Sequence, residues 1–162
     1  MKRIFGYVLA GTLAYLPLTV QAGGAPTHPD EYGAGKAYIA TLTGAQENPT
    51  PIDTDGMGYA LLTYNTKTNT LCVALSVSGL SSDIVGAHVH GPADPDENNS
   101  PVFALSTSSR VNECGTLTND QEKALRAGRL YLNIHTEAHP SGEIRGQILP
   151  ITGPNYKDPT VM

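Results

Sequence analysis

The amino-acid sequence predicts an all-β domain, an antiparallel sandwich or barrel of about seven or eight short strands with one short helix. Three observations carry this expectation. Apolar residues alternate with polar ones in short runs, most plainly Leu71, Val73, Leu75 and Val77, the period that turns one face of a strand toward a core. Turn formers are dense, with 17 Gly and 12 Pro in 162 residues, a composition that excludes a long coiled coil. Helix signals concentrate in one place, Thr118-Asn119-Asp120-Gln121 followed by EKALRA and Gly128, which is a capping box with a glycine at the far end.

Taken in order, residues 1–22 read as a secretory signal. Lys2 and Arg3 precede an apolar run from Ile4 to Leu18, and Val20-Gln21-Ala22 supplies small residues for cleavage after Ala22. Gly6, Gly11 and Pro17 interrupt that run, which is shorter than the roughly 20 residues a spanning helix needs, so no membrane span is expected after cleavage. Residues 23–35 form a flexible leader of turn formers, and the folded domain is expected over 36–150. Strands are predicted at 38–42, 58–64 and 70–77, with a hairpin turn at 65–69. A short strand at 86–90 stops at Gly91-Pro92, and another at 102–105 follows the polar loop ADPDENNS. After the helix come strands at 130–136 and 142–148, joined by the hairpin loop Glu137-Ala138-His139-Pro140-Ser141. Residues 151–162 read as a disordered tail.

The formal net charge of −5 leaves no basic footprint, which sets aside nucleic acid and anionic membrane surfaces as partners. A secreted or periplasmic address also decides how the two cysteines are read. Cys72 and Cys114 are far apart and form no CxxC pair, so a structural disulfide is expected, closing a long loop worth about 3–4 kcal/mol. The DPDENN stretch spaces Asp94, Asp96 and Asn98 like the start of a calcium loop but lacks that loop's later glycine and glutamate, and a solvated loop is expected.

The last hairpin separates its residues by face. Leu130, Leu132 and Ile134 alternate with Tyr131, Asn133 and His135, and Ile144 and Ile148 alternate with Glu143, Arg145 and Gln147. With Thr136 opposite Gly142, His135 faces Glu143, Asn133 faces Arg145 and Tyr131 faces Gln147, a polar wall on the side away from the aliphatic core. Glu143 beside Arg145 reads as a cross-strand ion pair. In residues 85–90 the same period sends Val85, Ala87 and Val89 inward and leaves His88 and His90 outside. Side chains two apart on a strand share a face at roughly 6.5–7 Å, so two imidazoles can converge on one ion, and His135 is the third nitrogen donor. Neutral imidazoles suit copper first and zinc second, with Asn133, Glu143 and Arg145 placed to orient His135. The alternative reading is solvated or internally bonded histidines, as expected for His28 and His139 in loops.

The assembled residues resemble the CHRD domain, the module named after chordin. The resemblance rests on Leu42-Thr43-Gly44-Ala45-Gln46-Glu47-Asn48-Pro49, on Ala87-His88-Val89-His90-Gly91-Pro92-Ala93, and on the 130–136 block leading into Pro140-Ser141-Gly142-Glu143-Ile144-Arg145-Gly146-Gln147. The early block departs at Asn48-Pro49-Thr50-Pro51, where the family usually has a hydrophobic residue and two prolines. The resemblance implies an immunoglobulin-like or superoxide-dismutase-like β-barrel and an extracellular setting, and implies little chemistry. His-Val-His at 88–90 also looks like the copper-ligand strand of copper-zinc superoxide dismutase, but the remaining histidines are too few for a two-metal centre. Three functions stand: an exported copper- or zinc-binding protein; a metal-free interaction module whose polar wall binds an extracellular or periplasmic protein or an envelope glycan; and a mononuclear dismutase-like enzyme. An enzymatic role is the least favoured.

Overall fold

Alternation of apolar and polar side chains produces nine strands and one helix in the computed structural model, which describes residues 35–151. These are β1 (Gly35–Thr43), β2 (Met57–Asn65), β3 (Thr70–Ser78), β4 (Ile84–His90), β5 (Pro101–Leu105), β6 (Arg110–Thr116), α1 (Asn119–Arg126), β7 (Tyr131–Thr136), β8 (Ile144–Gln147) and β9 (Leu149–Pro150). The predicted signal segment 1–22, all but the last residue of the predicted leader 23–35, and residues 152–162 of the predicted tail lie outside the described residues. Among the described residues, no helix is long and apolar enough to cross a membrane.

The strands pair antiparallel in the order β5-β4-β7-β8-β1-β2-β3-β6, and β9 lies beside β1. The two outer strands of this order meet, so the sheet curls into a nearly closed barrel. At the seam the Phe103 ring of β5 lies over Gly115 of β6, where a Cβ would fall 2.6 Å from the ring. Inside are the alternating residues of each strand: Tyr38, Ala40 and Leu42, then Leu62 and Tyr64, then Leu71, Val73, Leu75 and Val77, then Leu132 and Ile134. Leu125 of α1 and Leu130 pack into the same core.

The helix begins as its sequence requires. Thr118 Oγ1 accepts from the Gln121 amide at 3.3 Å, and Gln121 Oε1 accepts from the Thr118 amide at 2.8 Å. Gly128 follows the helix at φ +70°, a conformation that costs glycine nothing.

The two-residue β9 is absent from the sequence-based expectation, and so is strand β6. Of its residues only Val111 is a buried hydrophobic, so no alternation marks it. It forms because β3 offers it a ladder, in which Cys72 lies directly opposite Cys114 and the two are bridged. Val85 also departs: it is predicted inward and is 53% exposed. The ladder between β4 and β7 shifts register between Ile84 and Gly86, and such a bulge inverts the facing of the residue it adds.

The disulfide joins residues 42 apart in sequence and anchors the strand with the poorest apolar pattern. Replacing Cys72 and Cys114 together by alanine is expected to lower the unfolding free energy by about 3–4 kcal/mol, measured by urea denaturation. An unchanged midpoint would show that the β3–β6 ladder holds without its covalent link.

Candidate functional site

The pairing of three strands assembles the site. In the ladder between β4 and β7, His88 lies opposite Asn133, His90 opposite Tyr131 and Gly86 opposite His135. In the ladder between β7 and β8, Asn133 lies opposite Arg145 and Tyr131 opposite Gln147, the register that the sequence predicts. Residues opposite one another share a face, so His88, His90 and His135 meet on the outer side of the barrel, next to Asn133, Tyr131 and Arg145. Ala87 and Val89, between the two histidines of β4, are buried in the core. Gly86 leaves room for the rings, since a Cβ there would stand 3.1 Å from His88 Cε1 and 3.3 Å from His135 Cδ2.

The ring centroids of His88 lie 5.3 Å from His90 and 5.2 Å from His135, and those of His90 and His135 lie 5.9 Å apart. Backbone carbonyls set two of the tautomers. His90 Nδ1 is 2.9 Å from the Asn99 carbonyl and His135 Nδ1 is 3.0 Å from the Pro140 carbonyl. A carbonyl only accepts, so each Nδ1 carries the proton and donates it, leaving Nε2 with its lone pair. Those two Nε2 atoms and His88 Nδ1 are buried without a hydrogen-bond partner. One ligand atom from each ring lies within 4.8 Å of the others. Nitrogens around one ion at bonds near 2 Å sit roughly 3–4 Å apart, a closure within the reach of small ring rotations. Buried ring nitrogens left unpaired are costly, and with His88 in the tautomer that bares Nδ1 the three fit a cation.

The electrostatics agree with neutral rings at His90 and His135. Burial pushes the His90 imidazole down to about 4, against its hydrogen bond to Asn99, and His88, His135 and Arg145 add to the lowering. Burial likewise lowers His135, against its bond to Pro140, with His88 contributing. His90 stacks on the Tyr131 ring at 5.0 Å with 11° between planes, and the Arg145 guanidinium carbon lies 3.8 Å from the centre of that same ring.

The polar wall is not a surface. It lies outside the aliphatic core, as predicted, yet Tyr131 is 2% exposed, Asn133 5% and Arg145 1%, and of the three histidines His90 is buried and the others half-buried. The connection between β4 and β5 folds back over it. Arg145 donates to Asn98 Oδ1 at 2.8 Å and to the Asp94 carbonyl at 3.1 Å, and Gln147 donates to the Ala93 carbonyl at 3.0 Å. Asp94 itself pairs with Arg129 at 2.9 Å, so the loop expected to be solvated is exposed and also pinned by arginines.

Glu143 departs from its predicted place. It forms no ion pair with Arg145 and no hydrogen bond to His135 among the described residues. Gly142, at φ +138°, turns the chain before β8 begins, and the Glu143 carboxylate enters a cage of donors. Thr54 Oγ1 donates to it at 2.7 Å, the Ser81 amide at 2.8 Å, Ser81 Oγ at 2.7 Å and Thr136 Oγ1 at 2.6 Å. Burial alone would raise this carboxyl; the hydrogen bonds of Thr136, Thr54 and Ser81 outweigh it and hold the group at about 2.

Glu47 is the residue that sequence reasoning did not place. It follows the 3-10 turn Gly44–Gln46 and is 8% exposed. Asn133 Nδ2 donates to its Oε2 at 3.3 Å, while Glu47 Oε1 and Asn133 Oδ1 are buried without partners. A Cβ on Gly142 would stand 2.6 Å from Glu47 Oε2 and 2.8 Å from Asn133 Oδ1, so only glycine admits this pair. Burial raises the Glu47 carboxyl to about 7, against the lowering by Asn133, Arg145 and the Asn48 amide.

A family model for the CHRD domain matches residues 38–148. Chordin of Danio rerio is 32% identical over 106 residues, which cover 62% of this chain and 11% of that protein; the chain thus spans about a tenth of the length of this curated relative. No solved structure matches the chain.

The two carboxyls predict opposite pH responses. Glu143, lowered to about 2 from 4.5, stabilises the fold above its unfolded value, and that stability is lost as pH falls from about 4.5 toward 2. Glu47, raised from 4.5 to about 7, contributes stability present below 4.5 and lost as pH rises through 7. Glu47→Gln should therefore gain on the native protein between about pH 5 and pH 8, by up to about 3 kcal/mol. The deficit of Glu143→Gln should shrink below about pH 4. Urea denaturation across that range measures both, and differences independent of pH would contradict the assignment.

Proposed function

The chain belongs to the CHRD domain family, and from that premise we propose that it is an exported module that binds copper through His88, His90 and His135. The observation that carries this reading is the convergence of three buried ring nitrogens that have no other partner. Support also comes from the two backbone carbonyls that hold His90 and His135 in the tautomer with Nε2 free, the outer contact that orients metal-binding histidines. Imidazole donors accept copper and zinc, and at equal geometry copper binds more tightly. Three protein nitrogens leave a position open, which suits a protein that acquires and passes on its ion. The resemblance of residues 1–22 to a secretory signal and the chordin relative support an extracellular or periplasmic setting.

A metal-free interaction module is the second reading, and a different face supports it. Ile39 pairs with Leu61 and with Leu149 across β2, β1 and β9, and these are 45%, 55% and 52% exposed, with Tyr59 at 59%. Contiguous exposed apolar side chains mark contacts with other proteins.

Calorimetry with Cu(II) and Zn(II) separates the two readings. His88→Ala, His90→Ala and His135→Ala should each lower copper affinity by at least about tenfold, and His139→Ala should change it little. Equal affinity in all four variants, or none in the native protein, would leave the apolar face as the functional surface. A superoxide assay on copper-loaded protein tests the enzymatic alternative.

A further inference from the structure

Arg145 is a buried cation whose hydrogen bonds reach no anion. It is 1% exposed, and a guanidinium does not give up its proton in a protein. Its hydrogen bonds go to neutral acceptors, Asn98 Oδ1, the Asp94 carbonyl and Gln147 Oε1, and it rests on the Tyr131 ring. The ion pairs among the described residues join Lys123 to Asp120, Arg126 to Glu122, and Arg129 to Asp94 and Glu97; none includes Arg145. While Glu47, the nearby carboxyl, is protonated, nothing compensates this charge, and an uncompensated buried charge is expensive.

Beside this guanidinium opens a cavity of about 260 Å³, lined by Gln46, Glu47, Asn48, Pro95, Arg145 and Gln147. Its two walls are tied together. Asn48 Nδ2 donates to the Asp96 carbonyl at 2.7 Å, and Asn98 Nδ2 donates to the Asn48 carbonyl at 2.7 Å. We propose that this cavity is a binding site for a small carboxylate, held by the Arg145 guanidinium between the loop that follows β1 and the loop that follows β4. Three of the five guanidinium N–H groups are used in those bonds, the remaining donors and the charge can serve one carboxylate, and no second cation lines the cavity to favour a dianion. The assignment is independent of copper at the histidines.

Glu47 makes the site sensitive to pH. With its carboxyl raised to about 7, it is neutral in mildly acidic medium and leaves Arg145 free for an incoming anion. Once ionised, it neutralises Arg145 and repels the ligand. The other charges around Glu47 are engaged elsewhere: Asp94 and Glu97 are held by Arg129, and Glu143 lies in its cage of hydroxyls. Asp96 in the overlying loop is exposed, His88 lies opposite Asn133 on β4, and His90 and His135 are held neutral by burial.

The test is a titration of chelator-treated, full-length chain with acetate, followed by amide chemical shifts. Saturable shifts are expected at residues lining the cavity, with affinity about tenfold weaker near pH 8 than near pH 6, following the protonated fraction of Glu47. Glu47→Gln should bind at both pH values with equal affinity, and Arg145→Met should not bind. Arg145→Met removes a buried group, so Glu47→Gln decides the matter if that variant does not fold. No saturation by about 100 mM acetate, affinity that ignores pH in the native chain, or pH dependence that survives in Glu47→Gln would overturn the proposal.

Discussion

The antiparallel register of β4, β7 and β8 is the constraint on which the rest depends. It sets Gly86, His88 and His90 beside His135, Asn133 and Tyr131, and sets Asn133 and Tyr131 beside Arg145 and Gln147. A slip by one residue would exchange every one of these side chains with the aliphatic set. Leu132, Ile134 and Ile144 would then face outward, and the three imidazoles would enter the core. The hydrophobic effect therefore holds the polar site in place from the other side of the same strands, since full burial of each such side chain contributes roughly 1.5–3 kcal/mol.

A polar wall made this way needs a cover, and the cover determines the chemistry. The loop after β4 supplies the Asn99 carbonyl to His90 and acceptors to Arg145 and Gln147. The turn between β7 and β8 supplies the Pro140 carbonyl to His135. These loops satisfy most of the wall and leave five buried atoms without partners, His88 Nδ1, His90 Nε2, His135 Nε2, Glu47 Oε1 and Asn133 Oδ1. They fall into two groups. The nitrogens converge on a point that a borderline metal ion suits. The two oxygens need a hydrogen-bond donor, and a proton on Glu47 provides one, which agrees with the raised carboxyl.

The same covering separates two carboxyls that composition cannot tell apart. Glu143 is buried but receives four hydrogen bonds from Thr54, Ser81 and Thr136, and so ties β8 to β7 and to the segments before β2 and β4. Glu47 is buried with one long hydrogen bond from Asn133. Desolvation acts on both; the number of donors decides which of them stays ionised.

By itself the sequence determined what depends on near neighbours: alternation placed seven of the strands, the Thr118 box placed the helix, and two lone cysteines in a chain read as exported pointed to one bridge. It also determined the His-Val-His pair and the register of the last hairpin, because the side-chain period along a strand is local and fixed. Only the tertiary structure decided the others. Strand β6 has too little apolar alternation to be read and exists because β3 and Cys72 hold it. Val85 faces out because a bulge precedes Gly86. Glu143 left the wall because Gly142 bends the chain, and Glu47 reached it from a loop 86 residues from Asn133. These outcomes rest on contacts between distant segments, whose hydrogen bonds and exclusion of water arise only once the barrel has brought those segments together.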